Sequence, residues 1–253
     1  MAILEDKQKE QLKEIFQRLD KEVQVLLFSQ EFECPHCKLT REMIEEVAAL
    51  SDKIKLSPLD FVRHQDEAEK HGVDKIPALI IRGEKDYGIR YFGVPAGYEF
   101  TSVIEDLLMV SSGKHGLAPE TLAELEKIDQ PVRLQVFVSP TCPYCPKAVR
   151  AAHKLALASD LISADMVETT GFPHLVQKFE VSGVPHTQIT DDYGFVGPVA
   201  EKDLATEILI ALGKKTPTDS VLHQRDHEHE RKPEKSKTTR DKKPRQPAKK
   251  PKR

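Results

Sequence analysis

Four cysteines, all that the chain contains, fall in two pairs of identical spacing: Cys34-Pro35-His36-Cys37 and Cys142-Pro143-Tyr144-Cys145. Two thiols separated by two residues can close a disulfide and reopen it, which is the chemistry of reversible dithiol exchange. That chemistry needs one sulfur as a thiolate. A helix N-terminus supplies unpaired N–H groups and a positive dipole end that favour it. The second sulfur then lies one helical turn on, where it can close a disulfide or release a bound substrate.

The surrounding sequence offers that setting twice. Each pair follows a short apolar run, Val23–Phe28 and Val132–Val138, and opens a stretch with helical periodicity. Pro35 and Pro143 suit a first helical turn. A second landmark recurs at one offset: Cys34 precedes Ile76-Pro77 by as many residues as Cys142 precedes Val184-Pro185. Motif and proline repeat while the sequence between them differs, the pattern of an internal duplication.

The coarse element order is α-β-α-β-α-β-β-α in both halves. In the first, helix 4–19 and strand 23–28 lead to the motif helix ending near Leu50. Strand Ile54–Asp60, helix His64–His71, strands Ala78–Arg82 and Gly88–Gly93, and helix Tyr98–Ser112 follow. In the second, helix Glu120–Ile128 and strand Val132–Val138 lead to the motif helix through Ala158. Strand Ile162–Val167, helix His174–Phe179, strands Thr187–Thr190 and Phe195–Gly197, and helix Ala200–Leu212 complete it. A turn is expected at Asp191-Asp192-Tyr193-Gly194. Alternating strands and helices place the chain among the α/β layer folds.

These motifs carry a family resemblance over about residues 1–213. Each half resembles a thioredoxin or glutaredoxin unit, and the pair resembles the glutaredoxin-like protein disulfide oxidoreductases built of two tandem thioredoxin-fold units. Cys-Pro-Tyr-Cys is the glutaredoxin dithiol, and Cys-Pro-His-Cys resembles that of the strong oxidant DsbA. The expected fold is α/β: two tandem thioredoxin-like units, each a central sheet flanked by helices, at 1–117 and 118–213. A disordered basic tail is expected at 214–253.

The resemblance implies that Cys34 and Cys142 attack and Cys37 and Cys145 resolve. Ile76, Pro77, Val184 and Pro185 would form the substrate-binding segments, each proline in the cis form. His36 would tune the Cys34 pKa. No bound cofactor is implied, since the redox-active disulfides do the chemistry and NADPH and FAD reside in a partner reductase. The implied partners are protein disulfide substrates and a thioredoxin reductase-like flavoprotein. One departure stands out: the buried acid that thioredoxins keep before the motif is absent, with Leu27, Phe28, Val136 and Phe137 in the comparable places. Glu31 and Glu33 are read as solvated, so the proton acceptor for the resolving cysteines stays unnamed.

Composition bounds the remainder. The 253 residues suffice for two domains. The chain's net charge of −3 conceals an asymmetry, because residues 1–213 carry −12 and the tail +9. Low apolar content makes the tail a disordered segment, and a chain ending at Leu212 is expected to keep its fold and activity. Weak polyanion or nucleic-acid contact through Lys242–Arg253 is the sharper reading of the tail. His227 and His229 with Glu228 and Glu230 read as solvated charge rather than a metal site. Met1–Asp20 is charged throughout, no apolar run approaches the ~20 residues of a bilayer span, and the expected location is the cytoplasm.

The leading reading is a thiol–disulfide oxidoreductase that reduces, forms or isomerises protein disulfides through both dithiols, and two readings compete with it. One is a dedicated electron donor to a peroxiredoxin. The other is a zinc- or polyanion-binding protein with structural cysteines, which would require the two pairs to meet across more than a hundred residues.

Overall fold

The computed structural model describes residues 3–223. Sixteen helices and strands appear in the expected order. The first half comprises α1 (Asp6–Phe16), β1 (Val23–Ser29), α2 (Cys37–Ala48), β2 (Ile54–Asp60), α3 (Gln65–Lys70), β3 (Ala78–Arg82), β4 (Ile89–Phe92) and α4 (Glu99–Ser112). The second comprises α5 (Pro119–Leu125), β5 (Val132–Val138), α6 (Cys145–Ala158), β6 (Ile162–Glu168), α7 (Pro173–Lys178), β7 (His186–Thr190), β8 (Tyr193–Val196) and α8 (Glu201–Ala211). Tyr193 and Gly194 are strand residues rather than turn, because Gln188 and Thr190 pair with them across the β7–β8 hairpin.

The two half-sheets are not separate. They fuse into one eight-stranded sheet of order β2-β1-β3-β4-β6-β5-β7-β8, joined by parallel pairing of β4 with β6. Joining here removes two exposed sheet edges, which would otherwise present unpaired backbone groups. The junction demands a close approach at Gly88, whose carbonyl accepts the Ala164 N–H at 2.8 Å. Gly88 has φ +75°, and a Cβ there would stand 2.9 Å from the Ser163 Cα. Only glycine fits.

Strand alternation builds a core on each face of this sheet. Val25 and Leu27 of β1 and Leu134 and Val136 of β5 face the larger core, under α1, α2, α4, α6 and α8. Leu26 and Phe28 of β1, with Phe137 of β5, face the smaller one, under α3 and α7.

The body does not end at Leu212, and the residues from Lys214 to His223, expected to begin the tail, are folded onto it. Thr216 to Ser220 form a capped 3₁₀ turn, Pro217–Asp219. Ser220 is buried and donates to Glu207 Oε1 at 2.6 Å. Val221 and Leu222 pack on the larger core, while Lys214 pairs with Asp129 and Lys215 with Glu124. Sparse apolar content concealed this, because a single buried hydroxyl and two aliphatic side chains anchor the segment. Glu207 is wholly buried and takes its second donor from Tyr193. A chain ending at Leu212 should therefore lose about 1–3 kcal/mol relative to one ending at His223, because Glu207 Oε1 is left buried without its donor; urea midpoints of the two measure it. Lys242–Arg253 and the His227–Glu230 cluster lie outside the described residues.

Candidate functional site

Both dithiols emerge at the same end of the sheet's strands. β1 is antiparallel to β3, β3 to β4, and then β4, β6 and β5 run parallel, so β1 and β5 point the same way. Four strand spacings separate them, about 19 Å. Each motif turns from the end of its strand into a helix opened by its second cysteine.

Cys34 and Cys37 are disulfide-bonded with Cα atoms 5.4 Å apart, as are Cys142 and Cys145 at 5.5 Å. Each pair closes upon itself, so the two do not share one metal. Among the described residues no cluster of three or more His, Cys, Asp or Glu could hold a metal ion. Within each pair the second sulfur is the deeper: Cys37 is 3% and Cys145 0% exposed. Cys37 Sγ accepts the Gln30 N–H at 3.4 Å. Cys34 is half-buried and Cys142 lies at the margin of burial.

The Ile76–Pro77 and Val184–Pro185 peptide bonds are both cis. The Val184 carbonyl oxygen is 3.7 Å from Cys142 Sγ, so the segment before Pro185 lies against the sulfur. In the first half, the residues before Pro77 are tied across to the second. Arg133 of β5 donates to Asp74 at 2.9 Å and to the buried Asp165 of β6 at 2.6 Å. Burial pushes the Asp165 carboxyl up, against the pull of Arg133, and pushes Lys75 down.

His36 precedes α2 as Tyr144 precedes α6. Tyr144 is 67% exposed, whereas His36 is half-covered. What lies over it belongs to the other half: a Cβ on Gly171, in the β6–α7 loop, would stand 3.8 Å from His36 Cδ2. That loop is folded around the buried Glu168 carboxylate, which accepts the Thr170 and Gly171 N–H groups and the Thr170 hydroxyl. The difference between the motifs predicts unequal couples. A charge or hydrogen bond from His36 would stabilise the Cys34 thiolate and make its disulfide the easier to reduce. One pKa unit is about 1.4 kcal/mol, hence at most about 30 mV. Potentials titrated with the other pair changed to serine should place Cys34–Cys37 less negative, and His36→Ala should close the gap.

The sequence reading missed a buried polar cluster between α4 and α6. Glu99, at the start of α4, is 1% exposed. Its Oε2 accepts from Ser102 at 2.8 Å and its Oε1 has no partner. Burial pushes its carboxyl up to about 7, against the Ser102 hydrogen bond and the His153 charge. One helical stretch along, Asp106 Oδ2 accepts from Tyr91 Oη and meets His153 Nδ1, all three buried. Tyr98, beside Glu99, donates its N–H to the Pro140 carbonyl just before the second motif. A Cβ on Gly97 would fall 2.2 Å from that oxygen. A signal existed: Glu99, Val103, Asp106 and Val110 follow helical spacing, so two acids sit on an apolar stripe. Leu27, Phe28, Val136 and Phe137 are buried, while Glu31 and Glu33 are exposed.

Known proteins agree with this architecture. A thioredoxin family model matches residues 4–106 and a thioredoxin-domain model residues 132–210. The solved protein disulfide oxidoreductase of Aeropyrum pernix K1 superposes with a TM-score of 0.77 at 25% identity, over 85% of this chain and 97% of that one. The chain is a tandem thioredoxin-fold oxidoreductase. Its two self-contained dithiols, each at a strand-to-helix corner, make the reaction thiol–disulfide exchange.

A structure of the alkyl hydroperoxide reductase AhpF from Enterococcus faecalis aligns over 81% of the oxidoreductase and 99% of that chain, with a TM-score of 0.75 and 24% identity. Among curated relatives, the alkyl hydroperoxide reductase AhpF of Escherichia coli is 26% identical over 183 residues, 72% of this chain and 33% of the relative. The NADH dehydrogenase of Bacillus subtilis is 25% identical over 144 residues, 56% of this chain and 26% of the relative. The oxidoreductase thus spans about a quarter to a third of these relatives' length. Among the described residues no helix is long and apolar enough to cross a membrane.

Proposed function

We propose that the chain is a cytoplasmic electron carrier that reduces protein disulfides through both dithiols. Cys34 and Cys142 are the nucleophiles, and Cys37 and Cys145 resolve the mixed disulfide each forms. The observation that carries this reading is the graded burial within each pair. The first sulfur is reachable at the head of a helix, while the second is covered and collides only with a sulfur already bound. The backbones of Ile76 and Val184, before Pro77 and Pro185, pair with an extended substrate segment as an added strand. His36 stabilises the Cys34 thiolate.

Glu99 accepts the Cys145 proton when that thiol resolves the intermediate. Its buried carboxyl is raised to about 7, and it opens the helix packed against α6. The chain itself holds no cofactor, and a flavin- and NADPH-dependent reductase of the thioredoxin reductase type returns its electrons. The curated relatives favour a second reading, that the electrons pass to a peroxiredoxin.

Dithiothreitol-driven reduction of insulin tests the first reading. Turbidity should appear well ahead of the reagent alone, and an unaccelerated reaction would reject it. Reduction of a peroxiredoxin but not insulin would select the second.

A further inference from the structure

A cavity of about 590 Å³ adjoins the first dithiol, and both Cys34 and Cys37 line it. It lies on the β2 side of the motif, away from Pro77, which leads into β3 on the other side of β1. It is open because β2 is the outermost strand of the sheet. The corresponding flank of the second dithiol is filled: β6 pairs with β4, and a Cβ on Gly93 would fall 2.7 Å from the Glu168 Cβ. Fusion of the sheets therefore leaves the two dithiols with different surroundings.

The walls are cationic where they are free. Arg63 is exposed on the cavity wall, Lys38 there pairs with Glu42 at 3.8 Å, and Arg41 spends one N–H on Ser29 Oγ while keeping the rest of its guanidinium. Arg63 has only its backbone N–H engaged, on Asp60 Oδ1. The acids of the wall are Asp60, one of whose carboxylate oxygens that N–H takes, and the exposed Glu31. His64 Nδ1 bonds the Asp60 carbonyl oxygen. Three lining residues have an exposed apolar neighbour in the chain: Phe32 follows Glu31, Leu39 follows Lys38 and Val62 precedes Arg63, at 76%, 45% and 70% exposure, three of the six large hydrophobic side chains so exposed among the described residues.

We infer that this cavity gives the first dithiol a substrate preference: cystines in extended polypeptide whose half-cystine neighbours a carboxylate side chain and an apolar one. The inference rests on the disulfide-reductase reading and adds to it a recognition subsite for one of the two dithiols. The substrate segment crosses Cys34, with one side toward Ile76 and the other entering the cavity. There its carboxylate meets Arg63 and Arg41, and its apolar side chain meets Phe32 and Val62. The Cys34 thiolate attacks one sulfur of the substrate, and the other leaves as a thiolate that takes a proton. Cys37 loses its proton and attacks Cys34 Sγ, releasing the second substrate thiol and forming the Cys34–Cys37 disulfide. Two electrons pass from the protein dithiol, reduced beforehand by dithiothreitol, to the substrate. The −12 charge of residues 1–213 repels acidic chains at long range, so the preference must come from cations close to the sulfur.

Stopped-flow reduction by the full chain with Cys142→Ser and Cys145→Ser tests this. Two cystine peptides of equal length, each containing phenylalanine, carry glutamate or lysine beside the half-cystines; neutral hydroxyethyl disulfide is the control. At 0.15 M salt, where the Debye length is about 8 Å, the glutamate peptide should react about ten-fold faster. The ratio should collapse or invert in Arg63→Glu and narrow at 1 M salt. Equal rates, a faster lysine peptide, or a ratio untouched by Arg63→Glu would overturn the preference and leave the reductase reading standing. Failure with both peptides and with hydroxyethyl disulfide would overturn both.

Discussion

A chain carrying Cys34→Ser and Cys142→Ser together should reduce insulin no faster than dithiothreitol alone, a loss of at least about 10³-fold in the catalysed rate. Serine keeps the size of the side chain but is not ionised at neutral pH, so no nucleophile remains at either helix head. The single variants should differ. If His36 makes Cys34–Cys37 the less negative couple, Cys142–Cys145 is the stronger reductant, and Cys142→Ser should cost more than Cys34→Ser. Changing only the resolving residue, Cys145→Ser, should leave attack intact and trap a mixed disulfide visible by mass spectrometry. Insulin reduction that survives in the double variant would refute the assignment of both nucleophiles.

Glu99→Gln should lower turnover at the second dithiol about 100-fold near pH 8, the low end for loss of a positioned proton acceptor. The first dithiol, measured with Cys142 and Cys145 changed to serine, should be unaffected. The same substitution should leave a signature in stability. Burial raises the Glu99 carboxyl to about 7 from its ordinary 4.5, so between those values the folded chain holds a proton that the unfolded chain has released. Stability then falls as pH rises through this window, by up to about 3 kcal/mol, and levels off above it. Glutamine cannot titrate, so the variant should lack this fall. Urea unfolding from pH 4.5 to 8 reads the slope. Parallel slopes in the two proteins would remove Glu99 as the titrating group, and unchanged turnover would remove it as the proton acceptor.

Much of this molecule was legible without coordinates, because its signals are local. Two Cys–x–x–Cys pairs after apolar runs, and two prolines at one offset, depend on neighbours in the chain. Strands such as Ile54–Asp60 and Val132–Val138 declare themselves by their own alternation and composition. Locality also set the limit. Nothing in Gly88-Ile89 announces that β4 will pair with β6, since that edge contact joins residues more than seventy apart. It is this pairing that closes the flank of the second dithiol and leaves the first with an open, cationic one. Gly171 of the second half reaches His36 of the first for the same reason. Glu99 and Asp106 were visible as acids on an apolar stripe, yet only the packing of α4 on α6 made them buried, with His153 and Tyr91 as neighbours. Ser220 likewise became an anchor only where Glu207 waited for its hydroxyl. The sequence by itself determined which cysteines pair and on which elements they ride. The tertiary structure decided what surrounds each of them, because burial, charge and access are set by the other half of the chain.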